Sequence, residues 1–320
     1  MTTTTNTPLI WLVTGATSGF GLELAKVAAE RGDLVIGTSR NPPPFSSFSP
    51  PLPANLTLAR LDHNESLDSV KRDIDAIFKI HGTVDIVVNN AAYVQTGTVE
   101  ELTSEEMARQ FQANFFGPMN VYRAVLPHLR AKKLNPDNEN DNEEARRRKQ
   151  RYGKGALVTV GSLSVWFNLD CTYAYCSAKA ALRTMTLGMA EEVRQFGIRH
   201  TLLEPGFFRT GILEQGANFG STSHAERIPA YAEMNERADK AFRAFHHNQL
   251  GDTRKGCEII YEIVTGTGVA EGRELPAMAP LGGDAVAVIR QSAGRVLKAV
   301  DEWEDVAKLS DIPGAPTGWV

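Results

Sequence analysis

Short apolar runs alternate with amphipathic stretches along the chain. Strands are predicted over 9–13, 34–38, 56–61, 84–89, 156–160, 198–204 and 275–279, where apolar residues cluster between turn-forming ones. Helices are predicted over 22–29, 66–80, 103–132, 178–193, 230–245, 257–264 and 284–301. Thr103-Ser104-Glu105-Glu106 is a capping signature that opens the third helix. The closing helix carries an apolar stripe, Val286, Ile289, Val296, Leu297 and Val300, expected to pack in the core. Between about 211 and 251 the pattern weakens, and Gly216, Gly220, Ser221, Thr222 and Ser223 suggest a flexible segment.

The first strand runs into Thr14-Gly15-Ala16-Thr17-Ser18-Gly19-Phe20-Gly21, and a helix follows. Strand, glycine turn, helix is the setting of a dinucleotide fingerprint. The glycines let backbone approach a pyrophosphate, and the helix N-terminus offers unpaired N–H groups and the positive end of its dipole. Gly15, Thr17, Ser18, Gly19, Phe20 and Gly21 are therefore candidate cofactor contacts. Ser39 and Arg40 follow the second strand, with no acidic residue there to hold a ribose 2′-hydroxyl. An Arg at this point suits a 2′-phosphate, so the expected cofactor is NADP(H).

A second cluster is Tyr175-Cys176-Ser177-Ala178-Lys179, at the start of a helical pattern. Residues four apart share a helix face, which sets the phenol beside the ammonium. The positive charge is expected to lower the phenol pKa and make Tyr175 a proton carrier near neutral pH. Cys176 reads as helix filler.

Together these motifs resemble the short-chain dehydrogenase/reductase family, with its T-G-x-x-x-G-x-G turn and Y-x-x-x-K site. Three further stretches match in order: Asn89-Asn90-Ala91-Ala92 for N-N-A-G, with alanine replacing glycine; Ser162 upstream of Tyr175; and Pro205-Gly206 with Thr210 for P-G-x-x-x-T. The resemblance covers about residues 9–212. It implies an α/β fold, a Rossmann-type doubly wound parallel sheet in a single domain over 1–320, with a helical substrate lid at 207–251. It implies catalytic Asn114, Ser162, Tyr175 and Lys179, with Asn114 holding a relay water and Lys179 the nicotinamide ribose. Ser164 and Tyr173 do not fit the register. Asn90, Ala91, Pro205, Gly206, Phe208 and Thr210 join the implied cofactor contacts. Asp62 joins them against the adenine, caps the helix at 66–80, or does both. His63 has no evident partner. Tyr93, Trp166, Phe167 and Phe207 are expected to face substrate, unless they pack the core.

Composition narrows the setting. A chain of 320 residues with formal net charge −4 is not expected to bind nucleic acid. No apolar run reaches the roughly 18 residues of a membrane span. The start, 1–7, is Thr-rich and lacks the pattern of a signal peptide. Three sparse cysteines, Cys171, Cys176 and Cys257, suit a reducing cytoplasm. No metal is expected. The stretch 134–154 is acidic and then basic, an expected exposed insertion; its Arg-rich run could alternatively serve targeting or a partner. The end, 311–320, is expected to be loose.

The implied activity is NADPH-dependent reduction of a ketone or aldehyde, or the reverse oxidation, on a bulky apolar substrate such as a steroid, retinoid, lipid or polyketide. Two alternatives are a non-redox or epimerising enzyme on the same fold, and a nucleotide-sensing protein with an idle site. A homodimer or homotetramer through the helices of Asn114 and Tyr175 is the family's usual assembly.

Overall fold

The computed structural model describes residues 8–133, 152–213, 218–223, 226–246 and 248–315. The elements run β1 (Ile10–Thr14), α1 (Gly19–Glu30), β2 (Leu34–Ser39), β3 (Leu56–Arg60), α2 (Leu67–Ile80), β4 (Ile86–Asn89) and β5 (Val94–Thr96). Next come α3 (Ser104–Phe111), a π-helical turn (Gln112–Phe116), α4 (Gly117–Ala131), β6 (Gly155–Val160), α5 (Tyr173–Arg194) and β7 (Ile198–Pro205). The chain continues with β8 (Phe219–Ser221), α6 (Ala232–Phe245), α7 (Thr253–Thr265), β9 (Met278–Leu281) and α8 (Gly283–Lys308).

Seven strands form one parallel sheet in the order β3-β2-β1-β4-β6-β7-β9. Side chains alternate across it, as the strand period requires. Trp11 and Val13 of β1, with Ile86 and Val88 of β4, join a core under α1 and α7. Leu12 and Val87 face the opposite core, under α2, α4 and α5. With both faces covered, the central strands β1, β4 and β6 are predominantly apolar. Strand order reverses between β1 and β4, and the crevice at such a switch point is where open α/β sheets hold ligands. The fold is the doubly wound Rossmann-type sheet that the sequence implies.

Five expectations change. The single helix predicted over 103–132 is two helices around a π turn that contains Asn114. The flexible segment predicted near 216–223 includes β8, which pairs in parallel with β5, an element that sequence periodicity did not reveal. The last strand begins at Met278, not 275. Ser66 caps α2 by accepting from Ser69 N–H at 3.3 Å; Asp62 instead accepts from Asn64 N–H at 3.0 Å in a local turn. The stripe on α8 is solvent-exposed: Val296 is 59% and Val300 57% accessible.

The stretches 1–7, 134–151 and 316–320, and with them the Arg-rich run, lie outside the described residues. The end of the expected insertion is anchored. Tyr152 is buried and donates to Thr265 O at 3.0 Å, and Lys154 Nζ donates to Arg130 O at 2.7 Å.

Candidate active site

The glycine turn is built for close approach. Gly15 and Gly19 take φ +66° and +54°, conformations that side chains disfavour. A Cβ on Gly21 would lie 2.3 Å from Gly15 O, so this glycine lets α1 pack on the turn behind it. Asn90, at the end of β4, braces the same turn: its Nδ2 donates to Thr14 O at 2.9 Å, while Thr14 Oγ1 accepts from Asn90 N–H at 3.0 Å and Ala91 N–H at 3.1 Å. The N-terminus of α1 has no side-chain cap and no acidic residue in its first turn. Its N–H groups remain available to an anion.

A cleft of about 1030 Å³ opens at the C-terminal ends of the strands. Gly15, Thr17, Ser18, Gly19 and Phe20 line it, as do Ser39, Arg40, Asp62, Asn90 and Ala91. Ser162, Tyr175, Lys179, Pro205, Gly206, Phe208 and Thr210 line it too. Arg40 is exposed on its wall, with no hydrogen-bond or ion-pair partner among the described residues. The donor set therefore fits a dinucleotide: an uncapped helix end for the pyrophosphate and a free guanidinium for a further phosphate.

The candidate catalytic groups converge from two elements. Ser162 follows β6 and its Oγ accepts from Ser164 N–H at 3.1 Å, which leaves the hydroxyl proton free to be donated. Tyr175 and Lys179 lie four apart on α5. Burial pushes the Tyr175 phenol up to about 12, with the Ser162 hydroxyl pulling the other way. This reverses the expected lowering by Lys179. The ammonium donates to Val160 O at 2.9 Å, and burial brings its own pKa down to about 8. Desolvation dominates both groups, because neither has an opposite charge beside it.

Asn114 lies behind the cleft wall and is fully buried. Its Oδ1 accepts from Tyr93 N–H at 2.8 Å and its Nδ2 donates to Tyr93 O at 2.7 Å. The side chain thus fixes the backbone that follows β4. Trp166 also departs from expectation. It packs away from the cleft, donating from Nε1 to buried Glu204 at 2.8 Å beneath the Arg183 guanidinium, 4.6 Å from the ring centre. Tyr93, Phe167 and Phe207 do line the cleft. Phe207 stacks on Phe245 with ring centroids 4.9 Å apart. Phe208 is mostly buried and meets Phe20 edge-on at 4.8 Å.

Several lining residues were not assigned to the site from sequence: His63, expected to be structural or exposed, and Arg109, Leu169, Asn218, Phe242 and Gln249. Burial holds His63 neutral, its pKa near 4, and Gly117 leaves room for its ring. Phe242 reaches the cleft from α6. Opposite, buried Glu101 accepts from Ile228 N–H at 2.9 Å and Asn235 Nδ2 at 2.7 Å, fastening the segment that leads into α6. Among the described residues, no helix is long and apolar enough to cross a membrane.

A family model described as short chain dehydrogenase matches residues 10–218. Oxidoreductase BOA17 of Botryotinia fuckeliana is 29% identical over 308 residues, 94% of this chain and 98% of that protein. A 3-ketodihydrosphingosine reductase of Bacteroides thetaiotaomicron is 31% identical over 210 residues, 65% of this chain and 66% of the relative. A solved short-chain dehydrogenase of Streptomyces avermitilis superposes with TM-score 0.76 at 30% identity, covering 96% of this chain and 100% of its own. Family members use nicotinamide cofactors, and the cleft has the donors for one. Turn, cleft and relatives agree: the chain belongs to the short-chain dehydrogenase/reductase family and is an oxidoreductase.

Proposed function

We propose that the protein is an NADPH-dependent carbonyl reductase, able to run in reverse as an alcohol dehydrogenase, on a bulky apolar substrate. The observation that carries this reading is the meeting of Ser162, Tyr175 and Lys179 on one cleft, with Lys179 fixed by Val160 O. Reduced nicotinamide, when bound, supplies the hydride. Tyr175, protonated at neutral pH, donates its proton to the developing alkoxide. Ser162 donates a hydrogen bond to the same oxygen, and such a prepositioned donor contributes about 3 kcal/mol. Lys179, fixed by Val160 O, supplies positive charge and a donor to the ribose.

The relay role of Asn114 falls to its main chain, since Tyr93 occupies its amide. A π turn shifts carbonyls out of regular pairing, which suits that role. Arg40 favours NADPH over NADH by its free charge on the cleft wall. Phe167, Phe207 and Phe242 supply an apolar wall suited to a lipid, steroid, retinoid or polyketide. The Bacteroides relative, by its name a reductase of 3-ketodihydrosphingosine, favours the reductive direction. The reading places a single domain over the chain, with 207–251 as its substrate lid. The three free cysteines agree with a reducing, cytoplasmic setting.

The test is NADPH consumption with a panel of bulky ketones, by the native protein and by Tyr175→Phe. The expected result is turnover that falls about 10²- to 10⁴-fold in the variant, with NADPH binding retained. Product formed without net NADPH consumption would favour the epimerising alternative. A Tyr175→Phe protein of full activity would defeat the assignment.

A further inference from the structure

Helix α8 is 26 residues long, and among the described residues only its first half is tied to the rest of the fold. Ala285 is buried, Asp284 Oδ2 accepts from Phe207 N–H at 2.7 Å, and Arg295 Nη2 reaches Trp166 O at 3.5 Å. From Gly294 onward every residue of the helix is exposed. Among those residues are Val296 at 59%, Leu297 at 64%, Val300 at 57%, Trp303 at 63% and Val306 at 55% accessible. An isolated helical stretch as short as 294–308 is marginal in water, and helices are normally held by packing an apolar face. Among the described residues, nothing covers this face.

The spacing of the stripe indicates what covers it. Val286, Ile289, Ala293, Val296, Val300, Trp303 and Ala307 follow a strict alternation of three and four residues. That is the a/d repeat of a coiled-coil seam, which takes another helix as its partner. The charges indicate which helix. Arg290 and Arg295 make the first half basic apart from Asp284, whereas Asp301, Glu302, Glu304 and Asp305 outnumber Lys298 and Lys308 in the second half. An antiparallel copy of the same helix lays basic half along acidic half, twice, about a two-fold axis.

One register satisfies the seam throughout. Val296 meets Val300 of the second copy, bulky Trp303 meets small Ala293, and Ile289 meets Ala307. The same register sets Arg290 beside Glu304 and brings Leu297 onto its own counterpart near the axis. Ile289 and Ala293 are half-buried where the helix leaves the body and keep exposed surface for the contact. A parallel pair would instead stack Trp303 on Trp303 and oppose like charges.

We propose that α8 is a self-association surface, and that its occupant is the antiparallel α8 of a second copy of this chain. This interface is separate from the helices of Asn114 and Tyr175.

The test uses the full chain at micromolar concentration in sedimentation equilibrium. The native protein is expected to be a dimer, or a larger even assembly. Val296→Asp combined with Val300→Asp is expected to halve its mass without touching the cleft. Glu304→Arg is expected to weaken association at least tenfold, and Arg290→Glu added to it to restore association. Leu297→Cys is expected to cross-link between copies under mild oxidation, and Ala307→Cys is not.

A monomeric native protein would overturn the proposal, as would a mass that the double Asp variant leaves unchanged. Cross-linking through Ala307→Cys but not Leu297→Cys would overturn the antiparallel arrangement. A monomer that cosediments with phosphatidylcholine–phosphatidylglycerol vesicles would assign the face to lipid instead.

Discussion

Lys179 is charged below about pH 8 and neutral above it, because burial disfavours its ammonium. Tyr175 stays protonated well beyond that pH, its phenol near 12 for the same reason. The two signs give opposite consequences for the two directions of catalysis. In the proposed mechanism reduction needs the phenol as an acid and the lysine charged, so its kcat/KM is expected to be flat from pH 6 to about 8 and then to fall. Oxidation needs the phenolate as a base and is expected to rise across the same range. Lys179→Arg is expected to move the fall in reduction to higher pH, because a guanidinium keeps its charge. A reduction profile with no break near 8, or a break unmoved in the variant, would remove Lys179 from the account. Ser162→Ala is expected to lower kcat about 10²- to 10³-fold with little change in cofactor affinity, read from steady-state kinetics. The residue types and their spacing were legible in the sequence. The direction of the tyrosine shift was not, because pairing along a helix is local whereas desolvation depends on everything packed around the site.

At the level of elements, the glycine turn and α1 are joined by contacts too short for any side chain. Gly21→Ala places its Cβ 2.4 Å from Asn90 Nδ2 as well as against Gly15 O, so α1 must shift off the turn. The expected cost is about 1–3 kcal/mol of stability with loss of nucleotide binding, measured by urea unfolding and by titration. Gly188, within α5, has open space where a Cβ would go. Gly188→Ala is expected to gain about 0.5–1 kcal/mol and leave activity unchanged. The turn was readable from sequence because strand, glycines and helix are contiguous. The π turn was not, because one extra residue in a helix barely disturbs an apolar period. The pairing of β5 with β8 was hidden for a different reason. Three-residue strands have too little length to show alternation, and β6 and β7 separate these two in sequence.

At the scale of the whole molecule, the switch point between β1 and β4 gathers motifs far apart in the chain into one cleft. Arg40, Ser162, Tyr175 and Thr210 reach it from four different loops or helices. This convergence was legible through the family pattern, which orders the motifs along the sequence. The direction of Trp166 and the exposure of α8 were not. A periodic apolar face announces that something must cover it but does not say what, and Trp166 turned to Glu204 through a contact 38 residues away. The central claim is that one NADPH lies along the cleft, with a phosphate at Arg40 and its reacting end at Tyr175. Its most direct test is fluorescence titration of NADPH and NADH into the native protein and Arg40→Ala. NADPH is expected to bind about tenfold or more tighter than NADH, as a charge-assisted hydrogen bond contributes about 1.5–3 kcal/mol, and Arg40→Ala is expected to erase the difference. Equal binding of the two nucleotides by the native protein, or a preference that survives the substitution, would contradict it.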